Sequence, residues 1–276
     1  MRPSEVVRRA AAYLDRHGVE GSRASAEILL SEILGTDRAG LYTRTEGLSA
    51  AEARAYGRAL CRRCAGVPLQ HLTGRQDFRQ LELTVRPGVF VPRPETEVVV
   101  EVALDAISDV RGPIVADVGT GTGAIALSLA QERPDAAVYA TDIAEAAVQL
   151  ALENAARLGL PLEASRGDLL DGLPADLGGR VHLVVSNPPY VDPDGLATLP
   201  DDVRADPELA LVGETDLHAR LVEESPAWLA PRGSLVAEVG ADQGPAVREL
   251  FERRFVDVRV LPDLAGRDRV VAGRLP

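Results

Sequence analysis

From Pro113 onward the chain alternates short apolar runs with stretches of helical period, and no other feature restricts its fold as much. Strands are predicted at 113–118, 136–141, 162–166, 181–186, 234–239, 255–260 and 268–273, and helices at 122–132, 144–158, 215–229 and 243–253. The run from Val181 to Val185 reads as a strand buried in a sheet. Alternation of this kind builds a mostly parallel sheet with helices on both faces. Such sheets bind ligands beyond the carboxyl ends of their strands, near the point where the strand order reverses.

The N-terminal region has a different period. Val6, Val7, Ala10, Ala11 and Leu14 recur at helical spacing, as do Ala26, Leu29, Leu30 and Ile33, with Gly18 and Gly35 as C-terminal stops. A third helix is predicted from Ser49 to Cys64, with Ser49 and Glu52 as its capping box. Arg54, Arg58 and Arg62 share one face of it, which reads as a solvated face rather than a docking surface for an acidic partner. Pro68 to Asp77 and Leu81 to Val85 read as the strands of a hairpin. In the segment from Gly88 to Glu97, Pro92 bars a helix and Pro94 suits the first turn of one that runs to about Val110. The expected organisation is an N-terminal helical bundle at 1–66, a β-hairpin linker at 67–92 and an α/β domain at 93–276.

Composition excludes several classes. The chain is 46% hydrophobic and 26% charged, as soluble globular proteins are. Its net charge of −12 argues against direct nucleic-acid binding, which needs a basic footprint. No apolar stretch approaches the ~20 residues that span a bilayer, and the start Met1-Arg2-Pro3-Ser4-Glu5 lacks the apolar region of a signal peptide. A cytoplasmic protein without a membrane partner is expected; the sequence sets no oligomeric state. Arginine carries all of the positive side-chain charge, which reads as coding bias. Cys61 and Cys64 have C-x-x-C spacing, but with no second pair and no His cluster no metal site is expected.

Three motifs sit at strand ends. Asp117-Val118-Gly119-Thr120-Gly121-Thr122-Gly123-Ala124 closes the first α/β strand and opens a helix, with glycines that let a ligand approach the backbone. The loop fits a dinucleotide fingerprint as well as an S-adenosylmethionine site. Asp142, after the second strand, is placed to accept hydrogen bonds from ribose hydroxyls, a reading preferred to a helix N-cap. After the third strand, Asp168 is placed to receive an adenine amino group and Leu169 to cover the ring.

The fourth strand ends in Asn187-Pro188-Pro189-Tyr190, and this tetrapeptide decides between the cofactors. A dehydrogenase has no evident use for it. The lone pair of an amide, guanidine or aromatic amine is delocalised, so such a nitrogen is a poor nucleophile and must be oriented. The Asn187 side-chain oxygen and the Pro188 carbonyl can each accept one N–H, leaving the nitrogen's third direction for a methyl donor. Tyr190 can stack on the planar group, and the prolines preset the acceptors. Catalysis is therefore assigned to Asn187, Pro188 and Tyr190, and substrate binding to these and Pro189.

With these motifs the chain resembles the HemK/PrmC-type protein-(glutamine-N5) methyltransferases, which modify peptide-chain release factors. The resemblance is carried by Pro68-Leu69-Gln70-His71, Gly74, Pro92-Arg93-Pro94-Glu95-Thr96-Glu97, the segment from Asp117 to Ala126, Asp142, Asn154-Ala155 and Ser186 to Tyr190. It continues through Glu238-Val239-Gly240, Gln243 and Asp263 to Arg269. It implies a seven-stranded Rossmann-like S-adenosylmethionine-dependent methyltransferase domain, with a helical N-terminal domain that recognises a protein substrate. It also implies S-adenosylmethionine as cofactor, S-adenosylhomocysteine as product, and the glutamine of a Gly-Gly-Gln motif as acceptor. The cofactor set is then Asp117, Gly119, Thr120, Gly121, Thr122, Gly123, Asp142, Ile143, Asp168, Leu169 and Asn187, with no metal.

The chain departs from the family pattern at His182, at Asp206-Pro207, at Gly213-Glu214-Thr215-Asp216-Leu217 and at Pro231-Arg232-Gly233. The acids Asp201, Asp202, Asp206, Glu208 and Glu214 read as solvated loop charge. The alternative is that they suit a cationic acceptor, such as the guanidino group of free arginine in a paralogue turned to a small metabolite.

Overall fold

The structure is a computed structural model that describes residues 1–199, 201–213 and 216–276. Thr215, the first residue of the predicted 215–229 helix, and Glu214 lie outside the described residues. The chain divides into a helical unit of residues 1–75 with 201–205, and an α/β unit of residues 76–199 with 206–276.

In the helical unit, α1 (Pro3–Arg16), α2 (Ser22–Leu34), α3 (Arg38–Thr43) and α4 (Ala50–Cys64) enclose Val7, Leu14, Leu29, Leu30, Leu41 and Tyr56. The capping box of α4 is present: Ser49 Oγ accepts from Glu52 N at 3.2 Å, and Glu52 Oε2 from Ser49 N at 2.6 Å. Helix α3 was not expected; the Asp37 side chain starts it by accepting from Gly40 N at 2.8 Å. The strand predicted from Pro68 is corrected over its first half, where α5 (Leu69–Thr73) forms instead. Leu69 and Leu72, at helical i, i+3 spacing, pack on the helical core and so override the extended reading.

The second half of that segment does pair, as β1 (Arg75–Phe78) with β2 (Leu81–Thr84). Phe78, Leu81 and Leu83 bury into the α/β core beside α6 (Glu97–Ala106). A ligated turn fixes the hairpin: Arg79, at φ 50°, gives its guanidinium to Glu132 at 2.6 and 2.9 Å and its backbone N–H to Glu97 at 3.0 Å.

The seven predicted α/β strands are all present. They are β3 (Ile114–Val118), β4 (Ala137–Asp142), β5 (Glu163–Arg166), β6 (Val181–Ser186), β7 (Leu229–Glu238), β8 (Val256–Pro262) and β9 (Asp268–Arg274), in the order β5-β4-β3-β6-β7-β9-β8. The first five pair in parallel, and β9 runs antiparallel between β7 and β8. β7 starts ahead of its predicted Ser234, because Val181 already pairs with Leu229 and the register shifts before Leu183. The remaining helices are α7 (Ala124–Glu132), α8 (Glu145–Leu158), α9 (Asp201–Arg204) of the helical unit, α10 (Glu208–Leu211), α11 (Asp216–Glu224) and α12 (Gly244–Phe251). One sheet face is covered by Val99, Val100, Ile125 and Leu127, and the other by Leu221, Val222, Val247 and Phe251. Among the described residues no helix is long and apolar enough to cross a membrane.

Asn154, buried in α8, ties the hairpin to the glycine loop. Its Oδ1 accepts from Thr84 N at 2.8 Å, and its Nδ2 donates to the carbonyls of Thr84 and Thr122, both at 3.0 Å. Asn154→Ala strands the buried Thr122 carbonyl and the half-buried backbone groups of Thr84, and is expected to cost roughly 2–4 kcal/mol of stability. Urea unfolding followed by circular dichroism checks it, and a loss within error of zero would remove Asn154 from the structural core.

Candidate active site

The strand order reverses where β3 lies between β4 and β6. Val118, the last residue of β3, pairs with Ser186, the last of β6, and Ser186 Oγ donates to the Val118 carbonyl at 2.7 Å. The glycine loop and the Asn-Pro-Pro-Tyr segment therefore leave the sheet side by side. A Cβ on Gly119 would stand 4.0 Å from the Asn187 carbonyl oxygen.

The glycine loop is anchored on β4, with Gly119 N and Thr120 N donating to the Thr141 carbonyl at 2.8 and 3.0 Å. Gly121 has φ 57°, and a Cβ there would meet nothing within 4 Å, so its backbone faces open space. Asp117 is buried beneath the loop. Its Oδ2 accepts from Thr120 Oγ1 at 2.7 Å and Ala126 N at 3.2 Å, while its Oδ1 is buried without a partner. Burial pushes the Asp117 carboxyl up to about 7, against the pull of these two donors.

Asp142 bridges two turns rather than capping α8. Its Oδ2 accepts from Gly121 N and its Oδ1 from Ala144 N, both at 2.9 Å, and each oxygen keeps a further lone pair. Burial raises its pKa. Ile143 beside it is 49% exposed. Leu169 is half-buried at φ 51°, and its carbonyl accepts from Thr141 Oγ1 at 2.6 Å. Asp168 is exposed and takes two hydrogen bonds from Arg220, both at 3.1 Å, a partner no sequence signal announced.

These groups fit S-adenosylmethionine part by part. The orphaned Asp117 oxygen suits an ammonium, the free lone pairs of Asp142 suit vicinal hydroxyls, and the uncovered Ile143 suits the face of an apolar ring. Among the described residues no group of His, Cys, Asp and Glu gathers to hold a metal ion.

After β6, Asn187 is half-buried and donates from Nδ2 to Thr96 Oγ1 at 3.2 Å. Thr96 is buried at the end of the 3-10 turn Pro94–Thr96, so the prolines of that segment aim its hydroxyl. Pro188 is buried, and Pro189 and Tyr190 are half-buried. The Tyr190 hydroxyl donates to Glu238 Oε1 at 3.0 Å and accepts from Arg269 Nη1 at 3.4 Å. The Tyr190 carbonyl accepts from Gln243 Nε2 at 2.9 Å, and Gln243 Oε1 accepts from Gly240 N at 3.0 Å.

Glu238 ends β7 and is buried; burial brings its carboxyl up to about 7, opposed by Thr96, Arg269 and Tyr190. Burial, then Glu238, raise the Tyr190 phenol. Arg269 is held in turn by Asp263 and the Val239 carbonyl, both at 3.2 Å. Sequence reasoning had given Thr96, Glu238, Gln243 and Arg269 no role; the signal that could have found Glu238 is a carboxylate closing an otherwise apolar strand.

The segment after the tetrapeptide corrects one expectation. Asp206 is not solvated loop charge: it is buried, accepts from Val91 N at 3.2 Å and forms an ion pair with Arg93. That pair leaves no free charge on Asp206 for a cationic acceptor. The side chains of Asp201, Asp202 and Glu214 lie outside what the structure describes. Val191 N donates to the Leu211 carbonyl at 2.9 Å and Gly213 N to the Val191 carbonyl at 3.2 Å. A Cβ on Gly213 would lie 2.3 Å from the Pro189 carbonyl oxygen, so this glycine admits the tetrapeptide backbone. His182 uses Nδ1 to accept from Ile114 N at 3.0 Å, a structural task at the start of β3. Arg54, Arg58 and Arg62 are exposed.

Residues 5–74 match the model of the PrmC N-terminal domain, and residues 80–199 that of the Methyltransferase small domain. The chain is 45% identical to a release factor glutamine methyltransferase of Moorella thermoacetica, over 96% of this chain and 94% of the relative. It is 41% identical to that of Deinococcus radiodurans, over 99% of each, and 42% identical to that of Streptomyces coelicolor, over 97% and 96%. Among solved structures it is similar to a T. thermophilus 16S rRNA N2 G1207 methyltransferase in complex with AdoMet and guanosine. That likeness has a TM-score of 0.55 at 21% identity and covers 73% of this chain and 50% of the other. The human Mettl16 catalytic domain gives 0.56 at 17% identity, over 74% and 79%. At such identities these two show the fold alone.

Asp117 provides a test of the buried carboxyls. An acid raised from 3.8 to about 7 holds its proton more tightly folded than unfolded. The stability this lends is complete below the unfolded value and is lost as pH rises through the folded one. Unfolding midpoints in urea are expected to fall between about pH 4 and about pH 7. Asp117→Asn, which keeps an oxygen acceptor, is expected to flatten that slope; an unchanged slope would show that Asp117 does not titrate there.

Proposed function

The chain belongs to the release factor glutamine methyltransferase family, and from that membership we propose that it methylates the side-chain amide nitrogen, N5, of the Gly-Gly-Gln glutamine of a peptide-chain release factor, with S-adenosylmethionine as donor. The observation that carries this reading is Asn187, an amide fixed by Thr96 beside the glycine loop. The relatives match over nearly the whole chain, so the helical unit and the acceptor segment are both family features.

Asp117, the loop from Gly119 to Gly123, Asp142, Ile143 and Leu169 would hold the donor, with Asp168 joining them on release from Arg220. When bound, S-adenosylmethionine supplies an electrophilic methyl group on a sulfonium and leaves as S-adenosylhomocysteine. The Asn187 Oδ1 and the Pro188 carbonyl each accept one N–H of the acceptor amide. That holds the nitrogen out of free rotation and directs its remaining face toward the donor, so the barrier falls by orientation. As the N–H groups become more acidic in the transition state, both acceptors bind them more strongly. Tyr190, pinned by Glu238 and Arg269, walls the planar group on one side. As the N–C bond forms and the S–C bond breaks, one amide proton passes to solvent water and the N-methyl amide is left neutral.

The guanidine reading had rested on loop acidity, and the Asp206–Arg93 pair removes Asp206 from it, leaving Glu208 exposed among the described acids.

Purified protein with labelled S-adenosylmethionine is expected to label a release factor on its Gly-Gly-Gln glutamine. Labelling of free arginine but not of release factor would reassign the acceptor. Asn187→Ala is expected to lower kcat by about a hundredfold or more with donor binding still measurable, as for loss of one oriented acceptor. Asp142→Ala is expected to weaken donor binding in calorimetry. Near-normal turnover in the first variant, or unchanged affinity in the second, would remove that residue from the site.

A further inference from the structure

We propose that Glu238 is a positioning residue: its ionised carboxylate orders the hydroxyls of Thr96 and Tyr190 and so fixes which way the Asn187 amide faces. This rests on the reading that Asn187 Oδ1 receives an amide N–H.

An ionised carboxylate can only accept hydrogen bonds. Tyr190 donates into Oε1 at 3.0 Å. Oε2 is buried without a hydrogen-bond partner, and the Thr96 hydroxyl is a donor close enough to the carboxyl to draw its pKa down. A hydroxyl proton rotates freely, so the Thr96 proton turns toward the ionised carboxylate, the stronger of the acceptors beside it. Its oxygen then offers only lone pairs to Asn187. The Asn187 group that can meet a lone pair is the NH2, and the structure has Nδ2 facing Thr96 at 3.2 Å. The opposite edge of the planar amide, Oδ1, is thereby turned away from Thr96 and is free to accept.

Protonation of Glu238 reverses the chain of donors. A protonated carboxyl donates to Thr96, Thr96 donates to Asn187 Oδ1, and the amide turns over. Its NH2 then opposes the N–H that the acceptor must place there, and two donors repel. The groups facing Glu238 come from several elements. Arg269 on β9 and Tyr190 after β6 favour the ionised form, while Glu95 before α6 disfavours it. Asp263 holds Arg269 at 3.2 Å, and His218 on α11 meets the Glu238 backbone carbonyl at 2.8 Å, not the carboxylate. With burial, the balance sits at about 7, so a small change in pH moves the population.

The test uses the full chain, labelled with nitrogen-15, as wild type, Glu238→Gln, Thr96→Val and Thr96→Ser. The Asn187 side-chain NH2 signals are followed from about pH 6 to about pH 8.5, with kcat and KM for release-factor methylation measured over the same range. In wild type, kcat and the NH2 signals are expected to titrate together. Glu238→Gln, whose amide can donate or accept, is expected to lower kcat roughly tenfold to a hundredfold, as for a misoriented catalytic group, and to abolish that titration. KM for the donor is expected to hold. Thr96→Val is expected to match Glu238→Gln, and Thr96→Ser to restore wild-type behaviour, which separates loss of the hydroxyl from loss of fold.

A titration that survives in Glu238→Gln would belong to Asp117, whose carboxyl also lies at about 7, and would overturn the proposal. So would wild-type kcat in Thr96→Val. If wild type leaves release factor unlabelled, the acceptor reading fails. The NH2 titration, which needs no substrate, still decides whether Glu238 orients Asn187.

Discussion

The pairing of β3 with β6 is the constraint on which the site depends. Four register pairs, from Val115 with Leu183 to Val118 with Ser186, bring together two loops that are far apart in sequence. The Ser186 hydroxyl closes the last pair by satisfying the Val118 carbonyl, which a buried strand end would otherwise leave exposed to the loop. Every group argued to hold donor or acceptor is placed relative to that junction. A slip of one residue would reverse the faces of β6 and turn Asn187 away.

Buried carboxylates organise the surroundings of the junction, and their differences follow from their partners. Asp206 is fully compensated by Arg93 and a backbone N–H, and it fastens the chain that follows the tetrapeptide. Asp117 and Glu238 are compensated only in part, each with one oxygen left unpartnered, and both carboxyls are raised to about 7. An incompletely satisfied buried acid costs folding energy, and such costs concentrate where a ligand or a neighbouring group supplies the missing partner.

The strand and helix pattern of the α/β unit was legible because strands such as β3 and β6 are near-continuous apolar runs and the helices between them keep their period. The capping box at Ser49 was legible because its chemistry lies within four residues. The stretch at 68–73 was misread because its two leucines obey a packing demand set by the other helices, which local propensity does not contain. At the site, the glycine loop, Asp142 and the tetrapeptide declared themselves as motifs. Thr96, Glu238 and Arg269 stood in segments that carry the family resemblance, but their roles were not legible, because these arise from the convergence of distant segments. Asp206 was misjudged for the same reason: an acid among acids reads as solvated until its arginine, Arg93, is brought to it by the fold.

The order of the strands along the chain has a bearing on biosynthesis. β3, β4 and β5 are adjacent in the sheet and are made in sequence, so the glycine loop, Asp142 and Leu169 belong to a contiguous stretch of nascent polypeptide. The tetrapeptide comes next on β6, Glu238 later on β7, and Arg269 only on β9, inserted between β7 and β8 after both have been made. The chain is synthesised from the N-terminus onward. The strands that carry the glycine loop and Asp142 are thus made before the one that carries the tetrapeptide, and the last strand of the sheet in chain order supplies the cation that meets Tyr190.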